Sequence, residues 1–189
     1  MALMLNQLEK ENFLKKDCIT LLRTLTPNQK AKWGKMDGQQ MVEHLRDVCK
    51  VANGKIALPL YNNDPEKLAK ARAFLMSEAP FTESIRVPVM PEEPRPAKYA
   101  SITEAIEKME IEMNDVFTVY AANSSQTLNH PMFGELNYEE QIHYLDKHVR
   151  HHLRQFGLVM SEPQAEPTNR PGTPQNRVAS QASVPCEVR

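Results

Sequence analysis

The chain has 189 residues, 41% of them hydrophobic and 25% charged, enough apolar content for one domain with its own core. Its 23 Lys plus Arg against 24 Asp plus Glu leave a formal net charge of −1, so neither nucleic acid nor an anionic membrane is an expected partner. No run is long enough for a membrane span, and the apolar opening Met1 to Leu5 is too short for a signal-peptide core.

The three cysteines, Cys18, Cys49 and Cys186, form neither a CxxC pair nor an even disulfide framework. Cys18 and Cys49 fall on apolar helical faces and read as small buried hydrophobes in a reducing compartment, so a cytoplasmic protein is expected. Cys186 stands fourth from the end, but Glu187 and Arg189 have the wrong chemistry for a prenylation signal.

Helical periodicity predicts four main helices. The first covers about residues 5–25, with Leu14, Cys18, Leu21, Leu22 and Leu25 on one side. The second runs over about 37–53, with Asp37 as N-cap and Gly54 just past its end. A connection of more than forty residues follows, containing a short helix near 65–76 and a proline-rich extended stretch at 87–96. Phe74, Leu75, Phe81, Ile85, Val87, Val89 and Met90 are its expected apolar anchors. The third helix spans about 102–123 behind a Ser101/Glu104 capping box, with Ile102, Ile106, Met109, Met113, Val116 and Tyr120 on one face. The fourth starts after Asn137, with Glu140 completing another capping box, and ends near Gly157. No strand is expected. The fold class is therefore all-α, a four-helix bundle over residues 1–160 with a long crossover between the second and third helices. Residues 161–189, rich in Pro, Ser, Gln, Asn and Thr, read as a disordered tail.

Five of the six histidines lie between His130 and His152. Residues four apart on a helix share a face, so His148 and His152 can address one ion. On the wheel of the fourth helix, Tyr138, Ile142, Leu145, Val149, Leu153 and Phe156 form the apolar arc. His148 and His152 border it, and His151 points outward. On the second helix His44 borders a face made by Met41, Val42, Leu45, Val48, Cys49 and Ala52. Three neutral imidazoles from two facing helices would hold one divalent metal and leave a position open for water or an anionic group. The plainer reading is that these are hydrogen-bonded residues at the edge of a buried face.

His130, in the loop before the fourth helix, has three readings: a fourth ligand, a proton shuttle and so a candidate catalytic residue, or an ordinary loop residue. Glu140 and His143 match half of a di-iron element, but the wheel puts both on the outer face, and a di-iron centre is rejected. Trp33 with Met36 reads as a packed corner before the second helix.

These histidines belong to a wider pattern. His148-xxx-His152-xx-Gln155 with Met41-xx-His44-Leu45, Trp33-Gly34-Lys35-Met36, Pro91-Glu92-Glu93-Pro94, Tyr99-Ala100-Ser101 and His130-Pro131-Met132-Phe133-Gly134 resembles the DinB-like superfamily of metal-binding four-helix bundles. The match is closer to an uncharacterised subgroup of it and covers most of 26–158. The resemblance implies a metal held by His44, His148 and His152, the ion being Zn, Ni, Fe or Mn. Relatives of known activity use such a metal with low-molecular-weight thiols, as transferases or isomerases, and others are described as hydrolases. The implied partner is a small-molecule substrate or thiol, with a homodimer as the open option for assembly. The rival readings are a non-catalytic metal-binding protein and an interaction module that recruits a partner through the proline-rich crossover or the tail.

Overall fold

The computed structural model describes residues 2–26, 29–83 and 93–159. These are mostly helical, with one small antiparallel sheet. Helix α1 (residues 2–22) is α-helical over Ala2–Asn12 and Cys18–Leu22, with a π-helical turn, Phe13–Asp17, between them. The extra residue in that turn shifts the phase of the apolar stripe. From that turn onward Phe13, Leu14, Cys18, Ile19 and Leu22 are buried, whereas Met4, Leu5 and Leu8 before it are exposed.

Helix α2 (Gly38–Ala52) opens on a full capping box. The Asp37 carboxylate accepts from the Gln40 backbone N–H, and the Gln40 side chain accepts from the Asp37 N–H. It ends at Gly54, whose φ of +78° favours glycine. Helix α3 (Pro65–Leu75) starts at the Asp64 cap with proline in its first turn. Helix α4 (Ile102–Ala122) is capped by Ser101, but the expected reciprocal bond is replaced: the Glu104 carboxylate accepts from the Ala100 N–H. Helix α5 (Tyr138–Gln155) has the complete Asn137/Glu140 box. In the core α2 lies along α4, and α1 packs against α5.

Three expectations need correcting. Strands exist: β1 (Leu128–His130) pairs antiparallel with β2 (Gly134–Leu136), in the register Leu128 to Leu136 and His130 to Gly134. Three-residue strands are too short to leave an alternating pattern in the sequence. Gly134, at φ +76°, completes the tight connection between them.

The other two corrections concern α5. Every residue from Gln141 to Lys147 is buried, so Glu140 and His143 do not lie on a solvated outer face. The segment between α2 and α4 covers that side. Arg72 of α3 pairs with Glu140. The Lys147 ammonium donates to the carbonyls of Phe74, Leu75 and Ser77 at 2.9, 3.0 and 2.8 Å. His143 receives a hydrogen bond at Nδ1 from the Lys10 ammonium (2.7 Å) and donates from Nε2 to the Leu75 carbonyl (2.9 Å). His151 is likewise not outward-pointing, but half-buried against Trp33 and Phe81.

Of the expected crossover anchors, Leu75 is buried, Phe81 is half-buried and Phe74 remains 38% exposed. Ile85, Val87, Val89 and Met90 lie outside the described residues, as do Cys186 and the whole of 161–189.

Candidate metal centre

The α2 capping box fixes where that helix begins, and Met41, Val42, Leu45 and Cys49 turn its apolar face into the core. This carries His44 to the face of α5, where His148 and His152 stand one turn apart. The Nε2 atoms of His44 and His148 are 3.1 Å apart, as are those of His148 and His152. All three ligand atoms lie within 4.8 Å of one another. A tetrahedral zinc with bonds near 2.0–2.1 Å separates its nitrogen ligands by about 3.3 Å, so the two contacts of His148 already have nearly the spacing such an ion requires.

Burial is the largest cause that lowers the basicity of all three. It brings His44 down to about 4, against a smaller opposing effect of Asp47. His148 and His152 are held well below the ordinary value, by burial first and by neighbouring histidines second. At neutral pH the cluster is therefore three uncharged imidazoles, the protonation state a metal needs.

Rings enclose the cluster. Tyr144 and Phe81 meet His148 edge-on at centroid distances of 5.3 and 5.9 Å. His151 meets His152 at 5.1 Å and Trp33 at 5.8 Å, so Trp33 is part of this wall as well as a corner before α2. The Nδ1 atom of His151 and the indole N–H of Trp33 are enclosed with no hydrogen-bond partner among the described residues. Two hollows lie elsewhere among the described residues. One, of about 110 Å³, is lined by Lys10, Glu78, Glu139 and His143, and the other, of about 270 Å³, by Arg23, Leu25 and Ile106.

The structure brings together the three histidines named from the sequence and, among the described residues, adds no fourth His, Cys, Asp or Glu to that group. His130 ends strand β1 instead of lying in a loop. It is buried, stacked on Phe133 at 4.7 Å, and its Nδ1 accepts from the Met132 N–H at 3.1 Å. Burial pushes it down to about 3. Its ring meets Tyr144 at 4.3 Å, and Tyr144 in turn meets His148. The sequence reading missed Phe81 and Tyr144 as neighbours of the site. Only Tyr144 carried a local signal, standing one turn before His148.

No protein-family model, curated protein or solved structure matches the chain.

Proposed function

We propose that this chain is a DinB-like four-helix bundle, with residues 53–101 as its crossover, that holds one divalent ion through His44, His148 and His152. The observation that carries this reading is the convergence of three neutral imidazoles, those of half-buried His44 and His148 and of buried His152, with His148 Nε2 3.1 Å from the Nε2 of each of the other two. An all-imidazole donor set suits zinc, nickel or iron better than the hard cations magnesium and calcium. Three protein ligands leave one position open, as in catalytic rather than closed structural zinc sites. A divalent ion there supplies Lewis acidity to a water or a thiol, which fits a cytoplasmic metal-dependent hydrolase or thiol transferase. The chain's own part is to keep the imidazoles neutral and dry, with Tyr144 and Phe81 shielding His148.

A second reading, a non-catalytic metal protein, is favoured by one observation. The rings of Phe81, Tyr144 and His151 pack edge-on against His148 and His152, which suits an ion held for stability.

The test is metal content after zinc loading and desalting, with folding checked by circular dichroism. The full chain should retain about one equivalent, and His44→Ala, His148→Ala and His152→Ala should each lose most of it. His151→Ala should retain it. Full occupancy in His44→Ala together with loss in His151→Ala would refute the assignment. A panel of thiols with electrophiles and of hydrolysable esters and amides then separates the two readings. Turnover that needs all three histidines supports an enzyme. Metal-dependent stabilisation without turnover supports the second reading.

A further inference from the structure

Metal-ligating histidines need the ring nitrogen that faces away from the ion to be held by a hydrogen bond, which selects the tautomer. Among the described residues His152 has such a partner. The atom types along this contact fix every proton in it.

The Gln155 amide nitrogen lies 2.7 Å from the backbone carbonyl of Trp33. A carbonyl only accepts, so the NH₂ end of the amide faces Trp33 and the oxygen faces the other way. That oxygen is 2.8 Å from His152 Nδ1. It too only accepts, so Nδ1 carries the proton, and a neutral imidazole has only one. Nε2 of His152, the atom facing His148, is left with its lone pair.

The loop before α2 is shaped around this amide. Gly34 has φ +80°, and a Cβ there would come within 2.8 Å of the Gln155 amide nitrogen. Lys32 donates its backbone N–H to the Gln155 carbonyl at 2.8 Å, and the Gln29 side chain donates to the Phe156 carbonyl at 2.8 Å. Gln155 itself is only 4% exposed. The loop that leads into the helix carrying His44 thus grips the end of the helix carrying the other two.

We infer that Gln155, held by the Trp33 carbonyl and given room by Gly34, is a positioning residue that locks His152 with Nε2 free for the metal. This rests on the three-histidine reading above. It goes beyond it by naming a residue that touches no ion and a loop that sets the site's affinity.

The experiment uses the full chain labelled with ¹⁵N-histidine. Long-range ¹H–¹⁵N spectra of the metal-free protein read the His152 tautomer, and chelator competition reads zinc affinity. The wild type should show His152 protonated at Nδ1. In Gln155→Leu that preference should be lost and the zinc Kd should rise about 10–100-fold. Gln155→Glu still accepts from Nδ1 but cannot donate to Trp33, so it should keep the tautomer and most of the affinity. A purely structural glutamine would leave the tautomer unchanged in both variants.

An unchanged tautomer and a Kd within twofold in Gln155→Leu overturn the inference while leaving the metal site intact. Equal weakening in both variants with the tautomer unchanged also overturns it, in favour of packing. Should Gln155→Leu fail to fold, Gln155→Glu decides: His152 protonated at Nε2 there is the refuting result. A wild-type chain that takes up no zinc overturns the metal reading itself, and this inference with it.

Discussion

Lys147 ties the segment between α2 and α4 to the helix that carries two of the three histidines, and replacing it by methionine tests that tie. Its ammonium has three protons and spends them on the carbonyls of Phe74, Leu75 and Ser77. These groups lie at the C-terminal end of α3, where carbonyls lack intrahelical partners and a cation is favoured by the helix dipole. The ammonium also stands 4.7 Å from the Phe74 ring and 5.5 Å from that of Phe81. Methionine keeps the stem's volume, so little cavity forms and the loss is mainly of hydrogen bonds. A bond to a charged group contributes about 1.5–3 kcal/mol. Desolvation, the main cause that lowers the basicity of Lys147, offsets part of that. The Leu75 carbonyl keeps its bond from His143, and the Phe74 carbonyl keeps those from the Ser77 N–H and hydroxyl, so only the Ser77 carbonyl loses its sole side-chain donor. The expected net loss is about 1–2 kcal/mol. It should appear as a lower urea midpoint at unchanged slope and as faster amide exchange over residues 65–83. His143→Leu on the same background should cost more than it does alone, because it removes the last donor to Leu75. A change under about 0.5 kcal/mol with exchange unaltered would show that the ammonium does not hold this segment.

Two further outcomes are expected. The metal-free protein should lose stability in acid. The folded-state values of His44 (about 4) and His130 (about 3) lie below the unfolded value near 6.5. The unfolded chain then binds more protons in between, so this stability is complete above about pH 6.5 and drains away towards pH 4. Urea midpoints at pH 7.5, 6 and 5 should fall in that order, and a flat or rising series would contradict the burial of these rings. Phe81→Ala should open the side of the cluster that its ring covers and speed zinc loss to excess chelator at least several-fold in stopped-flow mixing, with a smaller change in Kd. An unaltered rate would mean that Phe81 does not guard the ion's path.

The parts of the fold that were legible in the sequence are those whose causes are local. Asp37 with Gln40, and Asn137 with Glu140, close their boxes within four residues of chain, so both histidine-bearing helices begin where residue types alone predicted. His148 and His152 were paired by helical spacing, and His44 by its place beside Leu45 and Met41. What was not legible depends on segments distant in the chain. The wheel of α5 assumed one buried face and one wet face, but α3 and its C-terminal turn, about seventy residues upstream, cover the second. That error put His143 and Glu140 in solvent and turned His151 outward. The π turn at Phe13–Asp17 is invisible for a related reason: a single extra residue changes phase without changing composition.

The most informative feature of the cluster is one that no spacing argument reaches, because it concerns protons. With His152 protonated at Nδ1, its Nε2 offers a lone pair to the Nε2 of His148, 3.1 Å away. If His148 carries its proton on Nε2, that proton lies in the ring plane and points at one neighbour only. Yet His44 Nε2 stands at the same 3.1 Å on the other contact. If His148 does not carry it there, two lone pairs face each other across the contact with His152. Either way, neutral rings leave one of the two contacts imperfectly satisfied, and an added proton is opposed by burial of all three. A divalent cation at the centre satisfies all three lone pairs at once, with no proton to place. This is a physical reason to read the cluster as a metal centre rather than as three hydrogen-bonded histidines at the edge of a core.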